Sequence, residues 1–190
     1  MLVFLPLSTC YSFAMNKNAP IIQTERLHIR PLTVDDIPAI AAMFADEEVM
    51  KFSSCRRSLS YKETSDLVTE KIMKEYDNVG FSRYAVIKKD DDTLIGYAGF
   101  TQQTILAEEK FIDLGYAFAK KYWGKGYATE TAQALVAYAR SSLRLPELGA
   151  VVSHENTASQ KVILKSGFSL FKNITLQGHT HYLYKINLEQ

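Results

Sequence analysis

Apolar positions along the chain recur with two periods, near two and near 3.6 residues, and the switches between them divide it into elements. Leu27-His28-Ile29-Arg30 alternates and reads as a first strand, stopped at Pro31. Ile37, Ile40, Ala41 and Phe44 then recur at helical spacing behind Thr33 or Asp35 as the cap, and Pro38 is tolerable there because the helix has barely begun. Ser60-Tyr61-Lys62-Glu63 is a capping box, and Leu67, Val68, Ile72 and Tyr76 line one side of the helix it opens. Residues 47–59, between these helices, are expected to be loop with at most a short turn. Ser82 to Lys88 and Thr93 to Thr101 read as two strands of a hairpin, joined by the polar turn Lys89-Asp90-Asp91-Asp92.

The second half is built around one stretch. Phe111 to Phe118 is short, apolar and aromatic, and reads as a strand. It breaks at Ala119-Lys120-Lys121 and passes through Tyr122-Trp123-Gly124-Lys125-Gly126. A helix follows, with Ala128, Ala132, Leu135, Val136 and Ala139 at helical spacing. Next come a strand from Leu148 to Ser153 and a short helix from about Thr157 to Ser166, capped by Asn156 and ended by Gly167. Two last strands, Phe168 to Lys172 and His181 to Leu188, flank a Gln177-Gly178 turn. Strands, then a βαβ unit, then a hairpin predict an α/β (α+β) fold. It is one domain with a mixed, mainly antiparallel sheet of about seven strands and helices on both faces.

Composition narrows the function classes. At 190 residues with 47% hydrophobic residues the chain can bury a full core, and a net charge of +1 with no basic run argues against nucleic acid or an anionic membrane as partner. No apolar run is long enough to span a bilayer. Cys10 and Cys55, the 2 cysteines, have no metal-type spacing and fit a reducing, cytoplasmic setting. The acidic turn lacks the spacing of a calcium loop, and His179 with His181 is too small a set for zinc, so no metal is expected. The apolar opening MLVFLPLSTCYSFAM has no basic residue before it, unlike a signal peptide. Residues 1–20 are therefore expected to be a poorly ordered extension ahead of a domain at 21–190, with Met15 the better start.

A strand, a glycine loop and a helix form an anion-binding arrangement. The first N–H groups of a helix lack partners, and glycines let the backbone approach a phosphate. The loop is neither a Walker motif nor a dinucleotide fingerprint, and alone it reads as a turn before a helix. Its surroundings change that. Leu114-Gly115-Tyr116 followed by Tyr122-Trp123-Gly124-Lys125-Gly126-Tyr127-Ala128-Thr129-Glu130 resembles the signature of the GNAT acyltransferases. It is most similar to the branch of the ribosomal-protein N-acetyltransferases RimJ and RimL. Asn156 and Ser159, then Lys165, Gly167 and Phe168, match that branch's second signature, and Thr24-Glu25-Arg26-Leu27 its usual opening.

The resemblance implies a single GNAT-like domain. That domain would move an acetyl group from acetyl-CoA, a co-substrate, to a primary amine on a protein N-terminus or a small molecule. It leaves monomer and homodimer open. It implies pyrophosphate held by N–H groups from about Tyr122 to Tyr127, with Trp123, Gly124, Lys125, Gly126 and Ala128 in the same site. Lys121 stands where the family often has Gln or Arg, keeping charge but losing the guanidinium fork. The pantetheine arm would run along the exposed backbone of Gly115, Tyr116, Ala117 and Phe118, and an N–H there would steady the oxyanion. Plain core packing is the other reading of Tyr116 and Phe118, and it is expected to hold for at least one of them.

Loss of the ammonium proton points to a carboxylate base, and Asp113, alternating into a strand that should be buried, is the candidate. A capped structural Asp is an equal reading, and Glu108 and Glu109 are weaker alternatives. Many members protonate the leaving thiolate with a Tyr where this chain has Ile163. The resemblance to the RimL-like branch offers instead a Ser three after the Asn, here Ser159, to relay water or stabilise sulfur rather than act as a strong acid, with Asn156 holding the arm, capping the helix, or both. His154 is a further titratable group at the end of the neighbouring strand. The loss of the Tyr also leaves an alternative, a non-catalytic acyl-CoA-binding sensor or regulatory module.

Overall fold

The computed structural model describes residues 20–53, 55–105 and 109–189. The expectations for residues 1–19 and for Glu108 lie outside the described residues. Among the described residues eight strands form one sheet in the order β1-β2-β3-β4-β5-β6-β8-β7. They are β1 Ile22–Gln23, β2 Leu27–Pro31, β3 Arg83–Lys88, β4 Thr93–Ile105, β5 Glu109–Phe118, β6 Glu147–Ser153, β7 Ser169–Leu176 and β8 His179–Asn187. The count exceeds the expected seven by β1, two residues whose pairing with His28 and Ile29 depends on β2 rather than on any pattern of their own. All neighbours are antiparallel except β5 and β6.

Among the described residues five helices cover both faces. Helix α1, Ile37–Phe44, follows a 3-10 turn at Val34–Asp36, and Pro38 lies in its first turn, where a missing N–H costs nothing. Helix α2 is one turn, Glu47–Met50, inside the stretch expected to be loop. Helix α3 starts at the Ser60–Glu63 capping box, runs Tyr61–Asp66, widens into a π turn at Leu67–Ile72 and finishes at Met73–Val79 before Gly80. Helices α4, Tyr127–Ser141, and α5, Thr157–Lys165, follow β5 and β6.

Strand alternation decides which helix packs where. Tyr84, Val86, Ala98, Phe100, Leu114 and Phe118 point to one face and bury Ala132, Leu135, Val136 and Ala139 of α4. Ala85 and Ile87, one step along β3, point to the other face and bury Ile40, Met43 and Phe44 of α1 with Ile72. The sheet is thus apolar on both sides, and burying each face offsets the entropy of ordering the chain.

One polar group is built into this frame. Asp36 is 6% exposed and accepts from both Arg30 terminal nitrogens at 2.7 Å, while its Oδ2 also accepts from the Thr33 N–H at 2.8 Å. Burial pulls its carboxyl up, but Arg30 and Thr33 outweigh that and hold it below its ordinary 3.8. An acid with a lowered folded pKa contributes stability above its unfolded value and loses it as pH falls through the folded value. Asp36→Asn is therefore expected to cost roughly 2 kcal/mol at neutral pH. It should also remove part of the stability decline below about pH 4. Urea unfolding across that range checks both outcomes.

Candidate active site

Strand β5 pairs with β4 along its whole length, from Gly96 opposite Phe118 to Ile105 opposite Glu109. On its other side it meets β6 in register at one position, Asp113 opposite Gly149. Beyond that point β6 runs on to Ser153 bonded to β8. The edge of β5 from Leu114 to Phe118 therefore faces β6 across an open seam.

Asp113 stands at the vertex of this seam and is 7% exposed. Its Oδ1 accepts from the Val151 N–H at 3.0 Å, a side chain taking the place of the next ladder bond. Its Oδ2 lies 3.1 Å from Nη2 of Arg83, whose Nη1 donates to the Gly99 carbonyl at 2.6 Å. Arg83 starts on β3 and reaches β5 only because Gly115 has no side chain: a Cβ there would stand 2.6 Å from both terminal nitrogens. Burial pushes the Asp113 carboxyl above the ordinary carboxylate range, against the pull of Arg83 and the Val151 N–H.

At its far end β5 leads into the glycine loop. A 3-10 turn, Lys120–Tyr122, uses the N–H groups of Tyr122 and Trp123, which donate to Ala119 and Lys120 carbonyls at 2.9 and 3.0 Å. Those two were expected among the anion-binding groups, and the tight turn takes them out. From Gly124 to Thr129 the N–H groups have no acceptor among the described residues, and the Glu130 N–H is the first to close a helical bond, to Gly126. Gly126, with φ of +83°, is the residue before α4, a conformation other side chains resist. Lys121 and Lys125 flank the Tyr122 ring at 5.1 and 5.7 Å, and Trp123 Nε1 donates to the Phe118 carbonyl at 2.7 Å, tying the loop to β5. Tyr127 is buried and Ala128 half-buried at the start of α4.

The other wall of the seam is α5. Asn156 caps it, its Oδ1 accepting from the Ser159 N–H at 3.0 Å. The Ser159 hydroxyl is 2.9 Å from the Tyr116 hydroxyl, which comes across from β5. Burial pushes the Tyr116 phenol up to about 12, with the Ser159 contact opposing. Ile163 is 1% exposed and packs in the core. A tyrosine hydroxyl thus reaches α5 from the sheet, which sequence spacing alone does not reveal. Phe118 belongs to the core under α4, whereas Ala117 packs partly buried on the opposite face.

Helix α2 and the segment after it are tied to the two walls. Glu48 pairs with Lys120 at 2.7 Å, and Arg56 with Glu155 at 3.3 Å. His154 is exposed, with Nδ1 3.1 Å from the Thr180 carbonyl, and His181 Nδ1 lies 3.0 Å from the His179 carbonyl. No cluster of three or more His, Cys, Asp or Glu among the described residues is placed to hold a metal. No helix among them is long and apolar enough to cross a membrane. Arg83 drew no attention in the sequence; the signal available was the pair Gly99 and Gly115, opposite each other on neighbouring strands.

The comparisons with known proteins agree with this geometry. The model of the acetyltransferase (GNAT) domain matches residues 26–169. The uncharacterized N-acetyltransferase YoaA of Bacillus subtilis (strain 168) is 30% identical over 149 residues, 78% of this chain and 82% of that protein. A GNAT-family acetyltransferase from Bacillus anthracis superposes with a TM-score of 0.75 at 28% identity, over 89% of this chain and 99% of that one. RimL, a ribosomal L7/L12 α-N-protein acetyltransferase solved with coenzyme A, shares the fold with a TM-score of 0.71 at 18% identity, over 86% and 95% of the two chains. The chain belongs to the GNAT acetyltransferase family, in its RimJ/RimL-like branch, and is an N-acetyltransferase of that family. GNAT enzymes use acetyl-CoA.

Gly115→Ala should displace Arg83 and destabilise the protein by roughly 1–3 kcal/mol. The penalty is expected to shrink in an Arg83→Ala background, because the clash and its target disappear together. A double-mutant cycle by chemical denaturation reads the coupling; additive costs would mean that the slot is not what makes Gly115 necessary.

Proposed function

We propose that this chain transfers acetyl from acetyl-CoA to a primary α-amine at a protein or peptide N-terminus. The observation that carries the reading is the continuity of the site. The N–H groups of Gly124 to Thr129, without acceptors among the described residues, lie on the loop that continues β5, and the β5 edge beside the seam runs back to Asp113, with the Tyr116–Ser159 contact bridging to α5. Six free N–H groups with two lysines beside them suit a pyrophosphate, and an unpaired strand edge suits an extended amide-bearing arm. The thioester supplies the activated acetyl group; the chain's residues position it and handle protons.

In this reading Lys121, Lys125 and the N–H groups of Gly124 to Ala128 hold the phosphates, with Tyr122, Trp123 and Tyr127 shaping the loop. The β5 edge at Tyr116, Ala117 and Phe118 holds the arm. Asn156 sets the first turn of α5, and the Ser159 hydroxyl, backed by the Tyr116 hydroxyl, delivers a proton to the departing sulfur. Asp113 has both oxygens engaged, so its first role is to hold the vertex and aim the β5 backbone. A second role, taking the ammonium proton, is favoured by the burial that raises its pKa.

The acids around the proposed acceptor entrance bear on the amine class. Asp46 caps α2, Glu48 pairs with Lys120, Glu63 with Arg57 and Glu155 with Arg56. Among the described residues only Glu47 of this group has no partner, which leaves little for a polycation to bind. That favours a singly charged α-amine over a polyamine.

Acetyl-CoA at a hundredfold excess over its Kd should stabilise the protein by roughly 2.7 kcal/mol. Gly124→Asp should abolish the shift, since a Cβ at Gly124 meets nothing within 4 Å and Asp tolerates its φ of +71°. No shift in the wild type would end the acetyl-CoA reading.

In single-turnover transfer to a peptide α-amine, Ser159→Ala and Tyr116→Phe should each slow the step by about tenfold to a thousandfold. Asp113→Asn separates its two roles. As a base it would lose transfer and flatten the acid limb of the pH–rate profile; as a vertex residue it would lower stability and leave the profile's shape. Faster transfer to spermidine than to the peptide would overturn the acceptor assignment.

A further inference from the structure

Glu130, in the first turn of α4, is the meeting point of three hydrogen bonds and an ion-pair contact from the β1–β2 connection. Its Oε1 accepts from the Thr24 hydroxyl at 2.5 Å and the Arg26 N–H at 3.0 Å. Its Oε2 accepts from Arg26 Nε at 2.7 Å and lies 2.6 Å from Nη2. The guanidinium rests over the Tyr127 ring, 4.5 Å from its centroid. The remaining terminal nitrogen, Nη1, donates to the Lys125 carbonyl at 3.0 Å.

That last bond lands on the peptide between Lys125 and Gly126. On its far side it joins Gly126, at φ +83°, a residue whose lack of a Cβ lets φ take either sign, and Gly124, at φ +71°, precedes Lys125. A trans peptide is planar, so its C=O and N–H point in opposite directions. Holding the Lys125 carbonyl toward Arg26 therefore turns the Gly126 N–H away from Arg26. Released, the peptide can rotate about the Lys125 ψ and Gly126 φ bonds and present an oxygen where the N–H stood.

We infer that Arg26, set in place by Glu130 and Thr24, is a positioning residue that locks the Lys125–Gly126 peptide so that its N–H faces a bound phosphate. The inference rests on the reading of this loop as the pyrophosphate site. It gives a task to residues 104 positions apart that no local pattern connects. Glu130 also neutralises Arg26, so the device orients the loop without itself attracting anions.

Charge makes the test one of sign. Glu130→Gln removes a negative charge near the phosphates, so electrostatics alone predicts tighter coenzyme A binding, whereas loss of the lock predicts weaker binding. Arg26→Lys keeps the charge but cannot hold Glu130 and the Lys125 carbonyl together. Titration calorimetry on the full chain would compare coenzyme A with pantetheine, which lacks the phosphates. Both variants should weaken coenzyme A about tenfold and leave pantetheine within about twofold.

Equal loss for both ligands would mean general loosening, and unchanged or tighter coenzyme A binding would remove the lock; either overturns the inference. A wild type that binds no coenzyme A would instead sink the functional reading. NMR of the ligand-free protein gives an independent readout. The Gly126 amide should be a single sharp resonance in the wild type and broadened or doubled in Arg26→Lys, with the β8 amides unchanged. A Gly126 resonance unmoved by the substitution would overturn the lock without reference to any ligand.

Discussion

The architecture depends on where one parallel strand pair stops. Had β5 and β6 continued in register past Asp113 and Gly149, every backbone group between them would be used and the sheet would present no cleft. The strands part because the Asp113 carboxylate takes the Val151 N–H that the ladder would need, and because Arg83 fixes that carboxylate from two strands away. A buried ion pair of this kind gains little net stability over an apolar substitute, since desolvation consumes much of the attraction. Its value here is geometric: it places the fork at a defined residue.

Everything else in the site is arranged around that fork. Helix α4 brings its N-terminus to the open end through a loop anchored to β5 by Trp123. Helix α5 brings a capped first turn to the other side, and Tyr116 closes the distance between sheet and helix. The faces under α4 and under α1 are both apolar, which keeps the sheet rigid while one seam within it stays open.

Much of this was legible in the chain. Strands and helices follow the hydrophobic period, and local chemistry marked their ends, as with the Ser60–Glu63 box, the Asn156 cap and Gly167. The loop and the second signature identified the family because their residues lie close together in sequence. What stayed hidden is non-local. Arg83 and Asp113 meet only once β3, β4 and β5 are in register, 30 positions apart, and Tyr116 meets Ser159 across 43. Arg26 and Glu130 both sat inside recognisable motifs, yet nothing in either motif shows that they touch. The π turn in α3 and the two-residue β1 depend on tertiary packing and leave no periodic trace.

Trp123 has a further consequence. It is the only tryptophan of the chain, it is 46% exposed, and its indole N–H is committed to the β5 carbonyl that bounds the glycine loop. The polarity around an indole governs its emission. The tryptophan emission of this protein, excited selectively over its tyrosines, therefore originates at the loop itself, with no second tryptophan to dilute it. The molecule carries its own optical probe at the mouth of the seam, and arrivals and departures there can be followed in real time on the unmodified chain.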